Sequence, residues 1–356
     1  MIIHSLFKDY EVSIEKDIHF LNDLCSKSNA EYVIDKNIYE IYKDRFIAIP
    51  EDRLIVLEAT EENKIIESAM KICGKMTEIP EKRNALLISI GGGIIQDITG
   101  FVANILYRGI QWIFVPTTLL ASCDSCIGGK SSLNYQKYKN LIGTFYPPDS
   151  IHICPQFFQT LTERDYKSGL GEVVKFNLMA GVDGLHVLNA NIDLLLKREP
   201  AVVSEFVNSS LLFKKDYIEK DEFDKGERIK LNFAHTFGHA IEVLTEYEIP
   251  HGTAVAIGMI IANHISVRRG ILNASFAEES QKILLKVIDI DIHALEKPLD
   301  VIVQAIRKDK KQTSRNLTAV LMTDTPKELV IIHDLEEDEI NEAFSYFVNL
   351  YKETKR

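Results

Sequence analysis

Three histidines lie close together between residues 235 and 251 of the chain. His235 and His239 are four positions apart, so on a helix both imidazole rings project from one face, and His251 can return from the next element. Two or three histidines with one carboxylate make a Zn²⁺ site with an open position for Lewis-acid catalysis. Any one of these histidines alone would be expected to be a core residue bonded to a backbone carbonyl. Their clustering favours a metal site.

The carboxylate of such a site must come from elsewhere, because the segment contains no HExxH motif. Glu172 is the candidate, since it lies in the apolar helical stretch GLGEVVK, where an unpaired carboxylate would be unfavourable. The chain has 41 basic and 52 acidic side chains and a net charge of −11, so an anionic substrate would require locally concentrated positive charge. Candidate cations, each by default a solvated surface charge, are Lys130, Lys139, Lys175, Lys214, Arg228 and Lys310. Among them, Lys175 lies one helical turn beyond Glu172.

A triple glycine at residues 91–93 follows the strand-like run ALLISI and precedes a helical pattern. Such a turn lets the backbone approach a phosphate, whose charge is then held by the N-terminus of the helix. The dinucleotide-binding fingerprint is incomplete, because Gln96 occupies the place of its third glycine. A nucleotide site and a plain strand-to-helix turn are therefore both open at this point.

The segment from Asp124 to Ser131 matches a phosphate-binding P-loop except at its first glycine, which is Asp124. A P-loop NTPase is disfavoured, because that carboxylate would repel a triphosphate and no apolar strand ending in a magnesium-binding Asp stands out. Cys123 and Cys126 form a CxxC with no second CxxC to accompany it. We interpret this cysteine spacing as chance.

The elements that must position these residues divide the chain into two parts. Strand-like runs (YVID, RLIVLEA, ALLISI and WIFV) alternate with helical patterns in the first part, which predicts a mainly parallel sheet covered by helices. Helical apolar spacing dominates the second part. We therefore predict an α/β domain at residues 1–156 and a mainly α-helical domain at residues 157–356, separated in a proline- and aromatic-rich segment.

Composition narrows the possible functions. The acidic balance argues against a nucleic-acid binder that relies on a basic surface, and the longest apolar stretch, AVAIGMIIA, is too short to cross a membrane. The five cysteines are sparse, and the N-terminal segment has acidic residues and no unbroken apolar core. These features predict a reducing, cytoplasmic setting without a secretory signal.

Taken in chain order, five motifs resemble 3-dehydroquinate synthase and its sugar phosphate cyclase relatives: RGIQWIFVPTTLLASCDSCIGGKSSLN, KNLIG, GLGEVVK, DEFDKGERIKLNFAHTFGHAIE and HGTAVAIGM. The resemblance extends from about residue 32 to residue 311. It implies an N-terminal Rossmann-like NAD-binding α/β domain and a C-terminal helical domain that binds metal and substrate.

The resemblance also implies a role for individual positions. The metal, expected to be zinc with cobalt as an alternative, would be held by Glu172, His235 and His251. NAD contacts would fall on Asp35, Asn37, Glu61, Lys64, Gly92, Gly93, Asp97, Thr117, Thr118, Lys130, Lys139, Phe157 and Thr160. Substrate contacts would fall on Asp124, Lys130, Asn140, Lys175, Lys214, Arg228, Asn232, His239 and Lys310. Arg108 resembles an arginine that reaches the substrate phosphate of a neighbouring subunit, which implies a homodimer.

The implied activity is that of a carbon–oxygen lyase. Bound NAD transiently oxidises a heptulose phosphate, phosphate is eliminated, the ketone is reduced again, and ring opening with aldol closure gives a carbocycle. Relatives that act on sedoheptulose 7-phosphate or glucose 6-phosphate tend to replace the arginine that binds the substrate carboxylate. Arg228 and Asn232 are present with Lys130, so the favoured substrate is the phosphorylated sugar acid of the shikimate pathway, 3-deoxy-D-arabino-heptulosonate 7-phosphate. A specialised cyclase and a non-enzymatic scaffold stay as alternatives.

Five positions depart from the family pattern. Glycine is replaced by Gln96, Tyr138 and Ala234, and the usual glutamate is replaced by Asp224 and Thr253. Gln96 has the length to crowd the cofactor pyrophosphate, and Tyr138 to reshape the loop that carries Lys139 and Asn140.

Overall fold

The chain folds into two compact units. The computed structural model describes residues 1–136, 138–307, 316–325 and 328–355. The first unit consists of Met1–Leu161 with Ile218–Phe223, and the second of Thr162–Tyr217 with Asp224–Arg356. The domain assignment from sequence, with its boundary after residue 156, stays a prediction.

Strands are concentrated in the first unit and helices in the second. The strands of the described residues are β1 (Ile2–Ile3), β2 (Tyr10–Ile14), β3 (Ala30–Asp35), β4 (Leu54–Leu57), β5 (Leu86–Gly91), β6 (Gln111–Pro116), β7 (Lys130–Tyr135), β8 (Tyr138–Phe145), β9 (Ser150–Ile153), β10 (Leu317–Met322) and β11 (Leu329–Leu335). The α-helices are α1 (Phe20–Cys25), α2 (Lys36–Ile41), α3 (Ile66–Glu78), α4 (Gly93–Ile105), α5 (Glu163–Met179), α6 (Val182–Leu196), α7 (Pro200–Ile218), α8 (His235–Leu244), α9 (His251–Arg268), α10 (Ala274–Val287), α11 (Leu299–Arg307) and α12 (Glu337–Thr354).

Within the first unit, the described strands form a seven-stranded sheet in the order β1-β2-β9-β6-β5-β3-β4. All neighbouring pairs are parallel except β1 with β2. The chain passes from β3 to β4 on one side and then returns to β5 on the other side of β3, so the direction of winding reverses between β3 and β5. Ligands of open α/β sheets bind outside the carboxyl ends of the strands at such a reversal. The topology therefore directs attention to the loops after Asp35 and Gly91.

The sheet forms where the sequence contains unbroken apolar runs. Every residue of β3 (AEYVID) and of β5 (LLISIG) is buried, as expected for parallel strands covered on both faces. The prediction of a Rossmann-like α/β part is confirmed. Two short antiparallel hairpins accompany the main sheet among the described residues, β7 with β8 in the first unit and β10 with β11 in the second. The sequence does not predict the hairpin of the second unit, since helical apolar spacing dominates that part of the chain.

The second unit is built around α9, which is buried almost throughout from Gly252 to Ser266. Helices α5, α8, α10 and α12 pack against it. A helix that is apolar on all sides belongs in the interior, so the composition of HGTAVAIGMIIANHISVR explains its central place. The prediction of a mainly helical second part is confirmed. In the part of the chain that the structure describes, no helix is both long and apolar enough to span a membrane.

One acidic side chain in the sheet predicts a pH dependence of stability. Glu31 of β3 is 1% exposed, and among the described residues neither carboxylate oxygen has a hydrogen-bond partner. Burial raises the pKa of Glu31 to about 7, although Arg53 and Lys75 oppose the shift. Because the folded-state pKa exceeds the unfolded value, the free energy of unfolding should fall as pH rises from about 4.5 to about 7, and then level off.

Replacing Glu31 by Gln should remove this decline and raise the free energy of unfolding at pH 8 by about 1–2 kcal/mol. Urea unfolding of both proteins at pH 5, 6, 7 and 8 measures the difference. The exposed Glu81→Gln variant is the control and should follow the parent protein at every pH. If Glu31→Gln raises the free energy of unfolding by the same amount at pH 5 and pH 8, the pH dependence does not come from the raised pKa of Glu31.

Candidate functional site

The second unit brings together one carboxylate and two imidazole rings. Glu172 Oε1 lies 3.5 Å from His235 Nε2 and 3.4 Å from His251 Nε2. One donor atom from each of the three residues lies within 4.8 Å of the other two. Two histidine nitrogens and a carboxylate oxygen are ligands that Zn²⁺ prefers, and three protein ligands leave a coordination position open. The donor set therefore fits a catalytic divalent metal ion.

Close backbone contact between α5 and α9 brings Glu172 and His251 together. A Cβ atom on Gly171 would lie 2.0 Å from the carbonyl oxygen of Gly252, and one on Gly252 would lie 1.8 Å from that of Ser168. The Gly252 amide also donates a hydrogen bond to Ser168 Oγ, at 3.1 Å. Only glycine permits this approach, and Glu172 and His251 are the immediate neighbours of the two glycines in the sequence.

The ring of His235 is held in one orientation by the backbone. His235 is the first residue of α8, and its Nδ1 lies 3.0 Å from the carbonyl oxygen of Phe233. Since that oxygen only accepts, we assign the proton to Nδ1, which leaves Nε2 as an acceptor directed towards Glu172. This is the tautomer that a metal ligand requires.

His251 is oriented by a second carboxylate, Glu242, which the sequence analysis did not identify. His251 Nδ1 lies 3.0 Å from Glu242 Oε2, so Nε2 faces Glu172. Burial alone would lower the pKa of His251, but Glu242 and Glu172 outweigh it and raise that pKa to about 10. A metal ion at this site must therefore displace a proton. Glu242 lies seven residues after His235 and three after His239, a helical spacing that could have identified it.

Lys175 and His239 flank Glu172, His235 and His251. The ammonium group of Lys175 forms an ion pair with Glu172 Oε2, and the residue is 1% exposed. The His239 ring centroid lies 5.4 Å from that of His235 and 5.8 Å from that of His251. His239 also forms a second potential donor group with Glu242 and His251. The structure thus places the ammonium group of Lys175 and the imidazole ring of His239 beside Glu172, His235 and His251.

The remaining residues predicted in the second unit can be placed by element and burial. Lys214 lies in α7, while Arg228 and Asn232 lie in the 3₁₀ turn Glu227–Asn232 that leads towards α8. Lys214 and Arg228 are both buried, which is unusual for cations and marks them for a specific partner or an anionic ligand. Lys310 lies outside the described residues.

In the first unit, several predicted cofactor residues meet at the carboxyl edge of the sheet. Asp35 ends β3 and caps α2 by accepting a hydrogen bond from the Asn37 amide, at 2.8 Å. The Thr117 amide, just after β6, donates to the Gly91 carbonyl at 2.9 Å. Gly92 and Gly93 open α4, and a Cβ on Gly92 would lie only 3.0 Å from Thr118 Cγ2. This turn has no side chains, so a phosphate can approach its backbone at the N-terminus of α4. It also lies beside the reversal of winding, where ligands of open α/β sheets bind.

A polar network joins α4 to the β7–β8 hairpin. Lys64 forms an ion pair with Asp97 and donates to Asn140 Oδ1 at 2.6 Å. Ser132 donates to Asp97 through its amide and to Asn140 through its hydroxyl, at 3.1 and 2.8 Å. The network thus unites three of the predicted residues with Ser132, which was not predicted.

Lys139 of the same hairpin forms an ion pair with Glu61 of the 3₁₀ turn Glu61–Asn63, with an N–O separation of 3.4 Å. Asn134 Nδ2 donates to Glu61 Oε2 at 2.8 Å. Phe157 and Thr160 lie apart from this network in the 3₁₀ segment Pro155–Thr160. Both contact Tyr42, Phe157 through an edge-on ring at 5.2 Å and Thr160 through hydroxyl groups at 3.2 Å.

The last predicted residues of the first unit are Asp124, Lys130 and Arg108. Asp124 belongs to the π-helical turn Ala121–Ser125, a rare conformation that is frequent at functional sites. Lys130 begins β7 and is exposed. Arg108 is exposed, with φ of +65° after Tyr107 with φ of +51°. Left-handed backbone is uncommon for residues other than glycine.

The departures from the family pattern have local structural effects. Tyr138 lies in β8 and is 64% exposed, and it is not among the residues with positive φ, so its backbone has no need of glycine. Thr253 is buried in the first turn of α9. Asp224 and Ala234 have φ of +59° and +68°. At these two positions the backbone adopts a conformation that glycine would accept more easily.

Ala234 supports a prediction because it immediately precedes α8 and His235. Replacing Ala234 by Gly should raise the free energy of unfolding by about 0.5–1 kcal/mol. Release of the left-handed strain in the folded state exceeds the entropy that glycine adds to the unfolded chain. Urea unfolding measures this change. Ala201→Gly, at an exposed helical position in α7, is the control and should lower stability by about 0.5–1 kcal/mol. Loss of stability in both variants would contradict the assignment of strain.

Comparison with known proteins gives a consistent picture. The family models described as 3-dehydroquinate synthase N-terminal and 3-dehydroquinate synthase C-terminal match residues 54–168 and 169–312. A 3-dehydroquinate synthase of Dictyoglomus turgidum is 35% identical over 340 residues, which cover 94% of this chain and 94% of that protein.

Two solved structures share the fold along nearly the whole chain. ValA, a 2-epi-5-epi-valiolone synthase from Streptomyces hygroscopicus subsp. jinggangensis with NAD⁺ and Zn²⁺ bound, has a TM-score of 0.83 at 23% identity and covers 98% of this chain and 99% of that chain. A 2-deoxy-scyllo-inosose synthase complexed with carbaglucose-6-phosphate, NAD⁺ and Co²⁺ has a TM-score of 0.83 at 23% identity, with coverages of 97% and 98%. At these identities the two structures show the fold alone.

Proposed function

The chain belongs to the 3-dehydroquinate synthase family, and we propose that it converts 3-deoxy-D-arabino-heptulosonate 7-phosphate into 3-dehydroquinate and phosphate. It is an NAD- and metal-dependent lyase-class cyclase, as the family is. The observation that carries the proposal is the convergence of Glu172, His235 and His251 on one point of the second unit. A chain that had kept the fold without the chemistry would have no reason to maintain this donor set.

Glu172, His235 and His251 would hold the metal ion, expected to be Zn²⁺ with Co²⁺ as the alternative. When bound, the metal polarises substrate oxygens as a Lewis acid, and NAD accepts a hydride that it later returns, so the reaction has no net redox change. The hydrogen bonds from His235 to Phe233 O and from His251 to Glu242 fix the two rings with Nε2 towards the third ligand. The protein thus supplies a preorganised site rather than one assembled by the metal.

Lys175 and His239 are the proposed proton-handling residues. Lys175 forms an ion pair with Glu172, and a neighbouring cation favours the charged form of a carboxylate, which a metal ligand must have. His239 shares the face of α8 with His235 and is partly exposed, so its imidazole can exchange a proton with a substrate hydroxyl beside the ligand set. Both residues would contact the reacting end of the sugar.

The substrate is a dianionic phosphate ester that also carries a carboxylate, so it needs several cationic anchors. Arg228 is the proposed carboxylate anchor, since its planar guanidinium can form two parallel hydrogen bonds. The remaining proposed substrate contacts are Asp124, Lys130, Asn140, Lys214, Asn232 and Lys310.

We propose that NAD binds at the carboxyl edge of the first unit. The bare glycine turn before α4 would receive the pyrophosphate. The other proposed contacts are Asp35, Asn37, Glu61, Lys64, Asp97, Thr117, Thr118, Lys130, Lys139, Phe157 and Thr160. The reversal of strand order between β3 and β5 supports this location independently of any sequence motif.

The assembly and the cellular location are also proposals. The exposed, left-handed Arg108 would reach the substrate phosphate bound to a second copy of the chain, so the active form would be a homodimer. The sparse cysteines, all five of them free thiols, suit a reducing cytoplasm. Gel filtration of the wild type and of Arg108→Ala measures the oligomeric state. Mixing two inactive variants tests the shared site, because activity returns only if each copy contributes residues to the site of the other.

Phosphate release from three sugar phosphates tests the function. The metal-free protein is assayed with 3-deoxy-D-arabino-heptulosonate 7-phosphate, sedoheptulose 7-phosphate and glucose 6-phosphate, each with and without NAD and Zn²⁺. Turnover of the first alone, dependent on both additions, is the expected result. Turnover of another substrate instead would identify a specialised cyclase, and no turnover at all would favour a non-catalytic scaffold. Either result would overturn the proposal.

A further inference from the structure

A buried glutamine joins the glycine turn to the turn that carries Asp124. Gln96 lies in the first turns of α4 and is 2% exposed. Its Nε2 donates to the carbonyl oxygen of Ser125 at 2.7 Å, and its Oε1 accepts from Ser125 Oγ at 2.7 Å. Both polar ends of the amide are thus engaged by a single residue. We call this pair the Gln96–Ser125 clamp.

Ser125 ends the π-helical turn Ala121–Ser125, which we call the Asp124 turn. The turn is closed by a hydrogen bond from the Cys126 amide to the Ala121 carbonyl, at 3.0 Å. π-helical turns are rare because their geometry is less favourable than that of an α-helix, so they need support from the surrounding structure. The clamp supplies two hydrogen bonds to the last residue of the turn, next to Asp124.

The clamp also holds the Ser125 hydroxyl close to the start of α4. A Cβ atom on Gly93 would lie 3.7 Å from Ser125 Oγ, so the hydroxyl is in van der Waals range of the glycine turn. The next residue of α4, Asp97, accepts hydrogen bonds from Ser132 at the opposite side of the network. Two successive residues of α4 therefore fix two different segments of the first unit.

We infer that Gln96 is a positioning residue that fixes the Asp124 turn against the first turn of α4. This inference rests on the proposed function, in which Asp124 contacts the sugar phosphate and the glycine turn contacts NAD. A glycine at position 96 would have no side chain with which to form the clamp. The Gln96 side chain therefore couples the two proposed binding segments.

The location of the clamp predicts which binding constant depends on it. Both polar groups of the Gln96 amide form hydrogen bonds with Ser125, and the side chain is buried. Removal of the amide should therefore disturb the Asp124 turn rather than the glycine turn. The substrate should then bind and react less well, while NAD affinity is retained. This outcome differs from the expectation that Gln96 crowds the cofactor, under which a smaller side chain would bind NAD more tightly.

The test variant is Gln96→Met, which keeps the length of the side chain and removes both hydrogen bonds. We expect backbone amides of residues 122–126 to exchange with deuterium about tenfold faster than in the parent protein, because two buried hydrogen bonds are lost. The KM for 3-deoxy-D-arabino-heptulosonate 7-phosphate should rise about tenfold. The dissociation constant for NAD should change less than about twofold.

Ser125→Ala and the double variant test whether the two residues act as a pair. Ser125→Ala should raise the substrate KM by itself but have no further effect in the Gln96→Met background. Gln111→Met, at an exposed position of β6, is the matched control and should change none of these values.

Unchanged hydrogen exchange in Gln96→Met would overturn the clamp. A change in NAD affinity as large as the change in substrate KM would also overturn it, because Gln96 would then act on the cofactor segment. Hydrogen exchange does not require turnover. It therefore tests whether Gln96 fixes the Asp124 turn even if none of the three sugar phosphates reacts. Failure of the proposed function and failure of the clamp can thus be distinguished.

Discussion

Replacing His235 by Ala should remove the bound metal ion and the cyclase activity together while leaving the protein folded. The three-ligand set of Glu172, His235 and His251 would retain two donors. Metal affinity should fall roughly 100- to 1000-fold. The binding free energy of a protein-bound metal ion, about 10 kcal/mol or more, is divided among a few ligands, and this variant lacks one of them. Metal analysis after dialysis and a competition titration with a chelator measure the loss. Far-ultraviolet circular dichroism and urea unfolding of the metal-free proteins measure the fold.

The matched control is His186→Ala, which removes an exposed histidine of α6 in the same unit. This variant should bind metal at one ion per chain and keep its activity. Glu172→Gln is a second ligand variant that preserves the shape of the side chain, and it should lose metal as His235→Ala does. Stoichiometric, tightly bound zinc in both ligand variants would overturn the assignment of the site.

Replacing Gly252 by Ala should weaken both the packing of the second unit and its metal affinity. The new Cβ atom would lie 1.8 Å from the Ser168 carbonyl oxygen, where ordinary contact begins at 3.4 Å. Helices α5 and α9 must therefore separate by more than 1 Å, at a cost of about 3 kcal/mol in the free energy of unfolding. Metal–ligand distances tolerate only about 0.2 Å, so the displacement of Glu172 from His251 should lower metal affinity about tenfold or more.

Gly171→Ala approaches the same contact from the other helix and should have the same two effects, since its Cβ would lie 2.0 Å from the Gly252 carbonyl oxygen. The control is Gly74→Ala in α3, where a Cβ has nothing within 4 Å. That variant should raise the free energy of unfolding by about 0.5–1 kcal/mol. Urea unfolding of the metal-free proteins and Co²⁺ titration followed by absorption provide the readouts. If Gly252→Ala keeps the parent's metal affinity, the glycine contact does not position the ligands.

The two halves of the fold could be predicted from the sequence because each has a strong local pattern. The apolar runs at β3, β5 and β6 and the long helical spacing after residue 162 do not depend on distant contacts. The order of the strands is different. The reversal of winding between β3 and β5 depends on which strands pair across the sheet, and no local pattern encodes that pairing.

The metal-binding hypothesis required both local spacing and family motifs. The histidine spacing by itself suggested a site, while the contribution of Glu172, more than 60 residues earlier in the chain, was a candidate that spacing could not establish. Glu242 was missed because a glutamate on a helix is usually a solvated surface residue. Its role became visible only in the 3.0 Å contact with His251.

The sequence by itself determined the composition of the site: the residue types, the two classes of domain and the family to which the motifs point. Only the tertiary structure decided how these residues are positioned. It showed that two glycines allow α5 and α9 to touch, that Ala234 adopts a left-handed conformation before α8, and that the amide of Gln96 is used by Ser125. The physical reason is that residue type is a local property, whereas a close approach, a backbone angle or a buried hydrogen bond depends on segments brought together by folding.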